Sequence, residues 1–359
     1  MSRRGLTFTV ASFLAAVLLF LAWHLPVPYV VLVPGPVTDT LHDVAAGGAG
    51  GKTSVPVVSV TGAKTYPVTG HIYLTTVGIE PGDCSHSPTL RQVIHAWFSS
   101  TQSVLPKQVE CQPGESNQAV QQQNAQDMTN SQRDAVTAAL LHLHYKPTTQ
   151  SVVVASTTDN TPAAGVLRAG DEFVAVDGTT VQSPAQLHSL IGAHPPGSTV
   201  SLTIRRGGVV KHVSLKTIDS PATHQPVIGV TLDLRATFAK PRVHIGIDPN
   251  EVGGPSAGLA FTLGIIDKLT PGGITGGRTI AGTGTIDGFC QVGPIGGIQQ
   301  KIAGALQAKA TVFLAPAGNC AEAKGAAPSS LILVRVTTLD SALAALHAII
   351  TGSGTFARC

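Results

Sequence analysis

The sequence predicts an α+β protein built from one N-terminal apolar helix, a β-rich module and a C-terminal domain of mixed helix and strand. Three observations support this class. An uncharged apolar stretch opens the chain, short alternating segments with tight turns fill its middle, and two glycine-rich loops near its end each precede an apolar helical pattern. At 359 residues, the chain has room for two or three domains of about 150 residues.

The composition is that of a folded, weakly charged protein. Hydrophobic residues make up 43% of the chain and charged residues 12%, against about 25% charged residues in an average soluble domain. The formal net charge is +3, and the basic residues are scattered. We therefore expect neither a disordered chain nor a nucleic-acid partner, because phosphate binding requires clustered Lys and Arg.

Residues 5–25 predict a transmembrane signal anchor. The stretch contains no Asp, Glu, Lys or Arg, and about 20 apolar residues span the hydrocarbon core of a bilayer. Arg3 and Arg4 precede it, so the positive-inside rule places residues 1–4 in the cytoplasm and the bulk of the chain outside. A cleaved signal peptide is the alternative, but HLPVPYVVLVPG lacks an A-x-A cleavage site. The expected location is the cell membrane, with a single pass.

Five cysteines agree with an oxidising compartment. We expect two local disulfides, Cys84 with Cys111 and Cys290 with Cys320, which leaves Cys359 unpaired. Plain buried thiols at some of these positions are the alternative. The sequence contains no C-x-x-C and no H-E-x-x-H motif, so we expect neither a metal nor a cofactor.

The middle of the chain changes from a mixed N-terminal region to a compact β-rich segment. Residues 26–140 predict strands and helices, with one helix in SPTLRQVIHAWF and one long helix that begins near Ser116. Residues 141–220 predict several short strands around one helix, and the run PAAGVLRAGDEFVAVDG at 162–178 resembles bacterial PDZ domains. The resemblance implies that an extended peptide adds to a sheet edge beside that helix. We expect the strand that holds a peptide carboxylate before Ser151; a β-rich spacer without ligand is the alternative.

The segment GGPSAG places a serine hydroxyl at a loop-to-helix junction. Two glycines and Pro255 precede Ser256, and apolar residues at helical spacing follow it. At such a junction, free backbone amides and the helix dipole favour a developing oxyanion. Taken alone, the segment is equally compatible with Ser256 as a helix cap.

A second glycine-rich turn, in residues 281–310, leads into a helix that carries Lys301. If this lysine points into a cleft, desolvation lowers its pKa. The neutral amine then takes the proton of a serine hydroxyl, as in Ser-Lys variants of nucleophilic catalysis. The sequence thus offers a nucleophile, Ser256, and a base, Lys301.

Together the two segments resemble the proteolytic domain of Lon-type peptidases, over residues 225–351. The family's serine motif stands here as GPSAG at 254–258, and its lysine motif as PIGG at 294–297 followed by Lys301. The resemblance implies that Ser256 is the nucleophile and Lys301 the base, and that Thr283 hydrogen-bonds the lysine. The oxyanion and orienting residues that it implies are Gly254, Pro255, Ala257 and Thr283.

The resemblance has one clear departure. Many Lon enzymes carry an acidic residue three positions before the serine, where this chain has Gly253. Glu251 is close but displaced, which leaves the gating of the site open. We expect His244, which lies where several Lon enzymes carry a histidine, to be structural.

The order of anchor, PDZ and Lon-type domain, with a short tail at 352–359, resembles the YlbL-like family of membrane-tethered bacterial proteases. The opening region of that family is also matched by two segments of this chain, YVVLVPGPVTDT and TYPVTGHIYLTTV. This resemblance implies an ATP-independent serine endopeptidase that forms a homo-oligomer and cleaves extracytoplasmic or membrane-associated polypeptides. AGGAGGKT at 46–53 approximates a nucleotide-binding loop but has Ala46 in place of its first glycine, so we expect no nucleotide partner.

Two alternatives remain at this stage. In the first, the protein is a membrane-tethered PDZ scaffold whose proteolytic domain is silent. In the second, it is an α/β-hydrolase, because GPSAG also satisfies G-x-S-x-G. The hydrolase alternative requires a downstream histidine, and His347 is the only one after Ser256.

Overall fold

The structure of the protein is a computed structural model that describes residues 3–46, 53–80, 86–110, 116–220 and 224–359. Its helices are α1 (Arg3–His24), α2 (Leu90–Trp97), α3 (Lys107–Glu110), α4 (Asn117–His142), α5 (Pro184–Gly192), α6 (Gly258–Leu269), α7 (Ile298–Gln307), α8 (Cys320–Ala326) and α9 (Leu339–Thr351). Its strands are β1 (Tyr29–Asp39), β2 (Asp43–Ala46), β3 (Thr53–Pro56), β4 (Val58–Thr61), β5 (His71–Glu80), β6 (Ser103–Pro106), β7 (Thr149–Thr157), β8 (Glu172–Val176), β9 (Thr179–Thr180), β10 (Thr199–Arg206), β11 (Val209–Lys216), β12 (Ile218–Asp219), β13 (Pro226–Val227), β14 (Val230–Thr237), β15 (Arg242–Ile245), β16 (Thr279–Gly282), β17 (Thr285–Ile286), β18 (Val292–Gly293), β19 (Val312–Pro316) and β20 (Ile332–Val336).

The apolar N-terminal stretch forms the single long helix α1. None of its Thr7–His24 portion is buried against the rest of the protein. By length and composition it could cross a membrane or serve as a signal sequence. The helix ends beside α2, because the Leu90 amide donates to Leu25 O at 2.9 Å. The residues 47–52 of the glycine-rich stretch lie outside the described ranges.

A mixed sheet in the order β20-β19-β16-β5-β1-β6 joins the two ends of the chain. β5, β16, β19 and β20 run parallel to their neighbours in that series, whereas β1 is antiparallel to both β5 and β6. In the register of β5 and β16, Ile72 lies opposite Ile280 and Leu74 opposite Gly282. Strands from residues 26–140 are therefore an integral part of the sheet that carries the C-terminal strands, which the sequence patterns did not indicate.

Helix α6 is the centre of the main core. Its residues are mostly apolar and almost all buried, because α6 lies between the mixed sheet and α4. The predicted long helix is confirmed as α4, which begins with the Ser116 side chain accepting from the Ala119 amide. The first half of α4 is polar and exposed, and its second half packs Ala135, Ala139 and Leu140 into the core.

A second sheet, in the order β11-β10-β8-β7-β14, forms the PDZ-like module with α5 on one side. Pro184 occupies the first turn of α5 and the Ser183 hydroxyl caps it, which is the pattern that favours a helix start. Strand β14 pairs antiparallel with β7, with Leu234 opposite Val152. Residues 230–237, which the motif comparison placed in the Lon-type domain, thus complete the PDZ-like sheet.

The predicted pairing of Cys290 with Cys320 is wrong, as is the expectation that Cys359 is unpaired. Cys320 forms a disulfide with Cys359, and Cys290 is a free thiol. The C-terminal residues run back along β20, where the Arg335 amide donates to Ala357 O, and this brings Cys359 to the start of α8. Sequence proximity misled the prediction, because this return could not be seen in the pattern. The other predicted pair, Cys84 and Cys111, lies outside the described residues.

Candidate functional site

The loop before α6 holds Ser256 in a fixed position. The Pro255 carbonyl accepts from the Ser131 hydroxyl at 3.0 Å. The Ser256 carbonyl accepts two further hydrogen bonds, from the Gly284 amide at 3.0 Å and from the Thr283 hydroxyl at 3.1 Å. These contacts reach the loop from α4 and from the end of β16, so its hydroxyl is held while remaining partly exposed.

Lys301 lies in the first turn of α7, and its amine is brought directly to Ser256. Lys301 Nζ is 3.1 Å from Ser256 Oγ and donates to the Thr75 carbonyl at 2.7 Å. The side chain is only 3% exposed. Burial lowers the pKa of Lys301 from 10.5 to about 8, and no acidic side chain of the described residues forms an ion pair with it. A large fraction of the amine is therefore neutral at mildly alkaline pH.

Lys301 contacts Thr75 and not Thr283, the threonine that the resemblance predicts. Thr283 donates its hydroxyl to Ser256 O instead of contacting the lysine, so its role is to hold the serine loop. The lysine is positioned by the backbone of Thr75 on β5. The sequence did not indicate Thr75, because any residue type can supply a main-chain carbonyl. The Thr75 hydroxyl is buried and has no hydrogen-bond partner in the described part of the chain.

Of the predicted oxyanion residues, Gly254 and Pro255 have no free amide, whereas Ala257 has one. The Gly254 amide already donates to Asn124 O at 2.9 Å, and Pro255 has no N–H to donate. The amides of Ser256 and Ala257 have no hydrogen-bond acceptor among the described residues. Both lie at the N-terminal end of α6, where the helix dipole adds partial positive charge. They are the two donors that an oxyanion beside Ser256 Oγ would meet.

Ser256 and Lys301 open into a cavity of about 730 Å³. One wall comes from β5 and the bulge of β1, and the other walls come from the loop before α6, the loop before α7 and the start of β17. The residues besides this pair that line the cavity are Pro36, Leu74, Thr76, Val77, Gly78, Met128, Glu251, Val252, Gly253, Pro255, Ala257, Thr285, Pro294, Ile295 and Gly296. They include no histidine, so the α/β-hydrolase alternative lacks its base here, and His347 lies on α9.

The departure at Gly253 has a steric cause. A Cβ at this position would lie 2.7 Å from the Cβ of Asn124 on α4, which leaves no space for an acidic side chain. Glu251 is exposed and lines the cavity instead. His244 lies on β15, where its side chain is exposed and outside the cavity lining.

The PDZ-like module has an apolar groove of its own, with a volume of about 160 Å³. Leu187, His188 and Ile191 of α5 line one side, and the turn from β13 into β14, with Ile228 and Val230, lines the other. The expectation that the groove strand precedes Ser151 is therefore wrong. The strand follows the module in sequence, in a segment whose motif signal is weak.

One group of described side chains has donors suited to a cation, namely Asp39, His42 and His71. Asp39 Oδ2 is 2.9 Å from His42 Nδ1 and 2.5 Å from His71 Nδ1. Asp39 Oδ1 also accepts from the Leu41 amide at 3.0 Å. The carboxylate is thus engaged by hydrogen bonds within the protein, and none of these residues lines the cavity beside Ser256.

Comparison with known proteins identifies two domains. Residues 127–217 match the PDZ domain family, and residues 202–346 match the Lon protease (S16) C-terminal proteolytic domain. A PDZ domain and a Lon-type proteolytic domain lie in this one chain. The matched ranges overlap at residues 202–217, which form the β10–β11 hairpin of the PDZ sheet.

Two relatives share parts of these domains. The chain is 30% identical over 163 residues to Lon protease 1 of Sorangium cellulosum, which covers 44% of this chain and 20% of that protein. It is 38% identical over 72 residues to the magnetosome formation protease MamE of Magnetospirillum gryphiswaldense, which covers 20% of this chain and 9% of that protein. The chain thus spans a fifth or less of the length of either relative.

Two solved structures also align with the PDZ domain. The PDZ domain of an SdrC-like protein from Listeria monocytogenes is 32% identical, covers 24% of this chain and 92% of that chain, and has a TM-score of 0.23. A protein from Geobacillus thermodenitrificans is 33% identical, covers 23% of this chain and 94% of that chain, and has a TM-score of 0.21.

Replacing Lys301 by Met is expected to stabilise the protein. The fall of the lysine pKa from 10.5 to about 8 corresponds to roughly 3 kcal/mol of destabilisation while the amine is charged in both states, below pH 8. Lys301→Met removes this penalty, so the gain is largest at neutral pH and shrinks as pH rises from 8 towards 10.5. Thermal unfolding of the full chain in detergent at several pH values measures it. The matched control is exposed Lys324→Met, and equal, pH-independent effects of the two variants would contradict the burial argument.

Proposed function

We propose that the protein is an ATP-independent, membrane-anchored serine endopeptidase in which Ser256 and Lys301 form a catalytic dyad. The observation that carries the proposal is the 3.1 Å approach of Lys301 Nζ to Ser256 Oγ, with the amine buried and its pKa lowered to about 8. A buried amine without a carboxylate partner is costly to maintain, and a base beside a nucleophile requires that arrangement.

In the proposed acylation step, neutral Lys301 takes the Ser256 proton while Oγ forms a bond to the carbonyl carbon of the peptide. The carbonyl oxygen becomes an oxyanion, which the Ser256 and Ala257 amides stabilise. The protonated amine then donates to the leaving nitrogen as the C–N bond breaks. Water subsequently gives a proton to Lys301 as its oxygen forms a bond to the acyl carbon. Lys301 then returns this proton to Ser256 Oγ as the acyl C–O bond breaks, which restores Ser256 and releases the new carboxyl group.

The cleft suits an extended polypeptide. The Thr75 carbonyl points to Lys301. Because backbone groups two residues apart in a strand point to the same edge, the N–H and C=O of Val77 also face the edge of β5 beside Lys301. β16 ends opposite Leu74, and beyond that point no described strand pairs with this edge of β5. We propose that substrate adds as a strand along this edge, which carries its scissile carbonyl past Ser256.

The PDZ groove supplies a second contact for the same class of substrate. Its dimensions and apolar lining suit the last side chains of a polypeptide, and the β13–β14 turn presents backbone amides beside α5. We propose that it captures polypeptide ends and so restricts cleavage. The resemblance to YlbL-like proteases also implies a homo-oligomer.

The anchor and the absence of a nucleotide requirement complete the proposal. Helix α1 has the length and composition to hold the chain at the membrane, with the folded domains on the extracytoplasmic side. A nucleotide would find little support there, since the glycine-rich stretch at 46–53 departs from the phosphate-binding pattern at Ala46.

Substitution of either dyad residue is expected to abolish cleavage. With fluorescein-labelled casein as an unfolded substrate, Ser256→Ala and Lys301→Ala should each lower kcat/KM by at least about a thousand-fold, because the two groups act as a unit. Matched controls are the exposed residues Ser353→Ala and Lys324→Ala. Cleavage that persists in both dyad variants would refute the assignment, and casein binding without cleavage by the unaltered protein would support the scaffold alternative.

The pH dependence of the reaction is expected to follow the lysine. Only the neutral amine accepts the Ser256 proton, so kcat/KM for casein should rise with pH through about 8 and then level off. Lys301→Arg, which stays protonated throughout, should be inactive at every pH. A rate that is constant from mildly acidic to alkaline pH would show that the lysine is not the base.

A charge in the PDZ groove is expected to weaken substrate capture. Val230→Glu places a carboxylate on the apolar wall of the groove, which should raise the KM for casein several-fold while kcat changes little. The control is Val209→Glu, at an exposed apolar position on β11 outside the groove. Equal KM values for both variants would mean that the groove does not hold this substrate.

A further inference from the structure

Two large aromatic side chains lie exposed at the end of α2. Trp97 is 65% exposed and Phe98 is 89% exposed. Helix α2 packs on the mixed sheet through Val93 and Ala96, which are buried, whereas the two aromatic side chains at its C-terminal end are not. An adjacent exposed Trp and Phe form an apolar patch of the kind that marks an interaction surface.

The position of α2 relates this patch to the end of α1. The Leu90 amide donates to Leu25 O and the Val27 amide donates to Pro88 O, both at 2.9 Å. The beginning of α2 is therefore fixed where α1 ends. With 8 residues, α2 is about 12 Å long, so Trp97 lies within roughly that distance of the level at which α1 ends.

The neighbours of the patch are those of a membrane interface. The Trp97 ring is 6.4 Å from the Tyr29 ring, only five residues after α1. Trp23, in the last turn of α1, is also exposed, at 44%. Trp and Tyr concentrate at the headgroup level of bilayers, and α2 carries no acidic residue that anionic headgroups would repel.

We infer that Trp97 and Phe98 insert into the interfacial layer of the lipid bilayer and give the protein a second membrane contact beside α1. The inference rests on the proposed anchoring of α1. It adds an orientation, because one membrane-spanning helix leaves the tilt of the domains against the bilayer surface open, and a second contact beside it fixes that tilt. β1, which carries Tyr29, is paired with β5, the wall of the catalytic cavity. The second contact thus fixes how the cavity faces the membrane.

The sequence offers a direct optical test, since Trp23 and Trp97 are its only tryptophans. The full chain is reconstituted in vesicles of phosphatidylcholine and phosphatidylglycerol, with part of the phosphatidylcholine brominated either near the headgroup or deep in the acyl chain. Trp23→Phe isolates the emission of Trp97, and Trp97→Phe isolates that of Trp23. A matched control introduces Val209→Trp, at an exposed position of the PDZ domain, with both natural tryptophans replaced by Phe.

The expected result is that Trp97 loses emission to the shallow bromines and is shielded from aqueous iodide, whereas the tryptophan at position 209 is quenched by iodide alone. Quenching of Trp23 by lipid while Trp97 is quenched only by iodide would overturn the inference and leave the anchor intact. Trp97 shielded from both quenchers would overturn it in favour of a protein partner such as a second copy. Equal lipid quenching at 97 and 209 would show non-specific contact and overturn it too. If Trp23 itself escapes lipid quenching, the anchoring fails, and the inference fails with it.

Discussion

The site depends on one buried amine that is held by a main-chain carbonyl and a hydroxyl, without a carboxylate. Lys301 Nζ contacts Thr75 O and Ser256 Oγ, and burial lowers its pKa to about 8. An acidic partner would stabilise the charged form, and a protonated amine cannot accept the Ser256 proton. The low charge density of the chain is consistent with this requirement, because a cavity lined mainly by Pro, Val, Gly and Ile keeps the amine desolvated.

This requirement explains why the N-terminal strands belong to the same sheet as the C-terminal ones. Thr75 and Lys301 are 226 residues apart in sequence, and they meet because β5 pairs in parallel with β16. The serine loop is likewise held from outside its own segment, by Asn124 and Ser131 of α4. A fragment limited to residues 225–351 would contain Ser256 and Lys301 but neither the acceptor that positions the amine nor the helix that supports the loop.

The division between what the sequence predicts and what it does not follows from the range of the interactions. The approach of Ser256 to Lys301 could be predicted because each lies where a glycine-rich loop meets an apolar helix. Helices α4 and α5 could be predicted because their caps and periodicity are local. Thr75 contributes only a backbone carbonyl, so no residue pattern marks it. The Cys320–Cys359 disulfide joins residues that are 39 positions apart in sequence. Strand β14 pairs with β7, which lies at the other end of the PDZ-like module in sequence. Such pairings are set by tertiary packing, which local periodicity does not encode.

Strand β14 also connects the two domains through polar contacts. Its residue Asp233 accepts from the Gly288 amide at 2.8 Å, in the turn between β17 and β18. A side chain at Gly288 would collide with the carbonyl of Leu234, so the two segments approach as closely as glycine permits. The same strand borders the groove of the PDZ-like module, and β17 begins at the cavity with Thr285. Burial and Asp233 raise the pKa of the neighbouring Asp134 to about 7, so this junction gains negative charge as pH rises through neutrality. The groove of the PDZ-like module and the cavity beside Ser256 therefore border two segments that the hydrogen bond from Gly288 to Asp233 holds together.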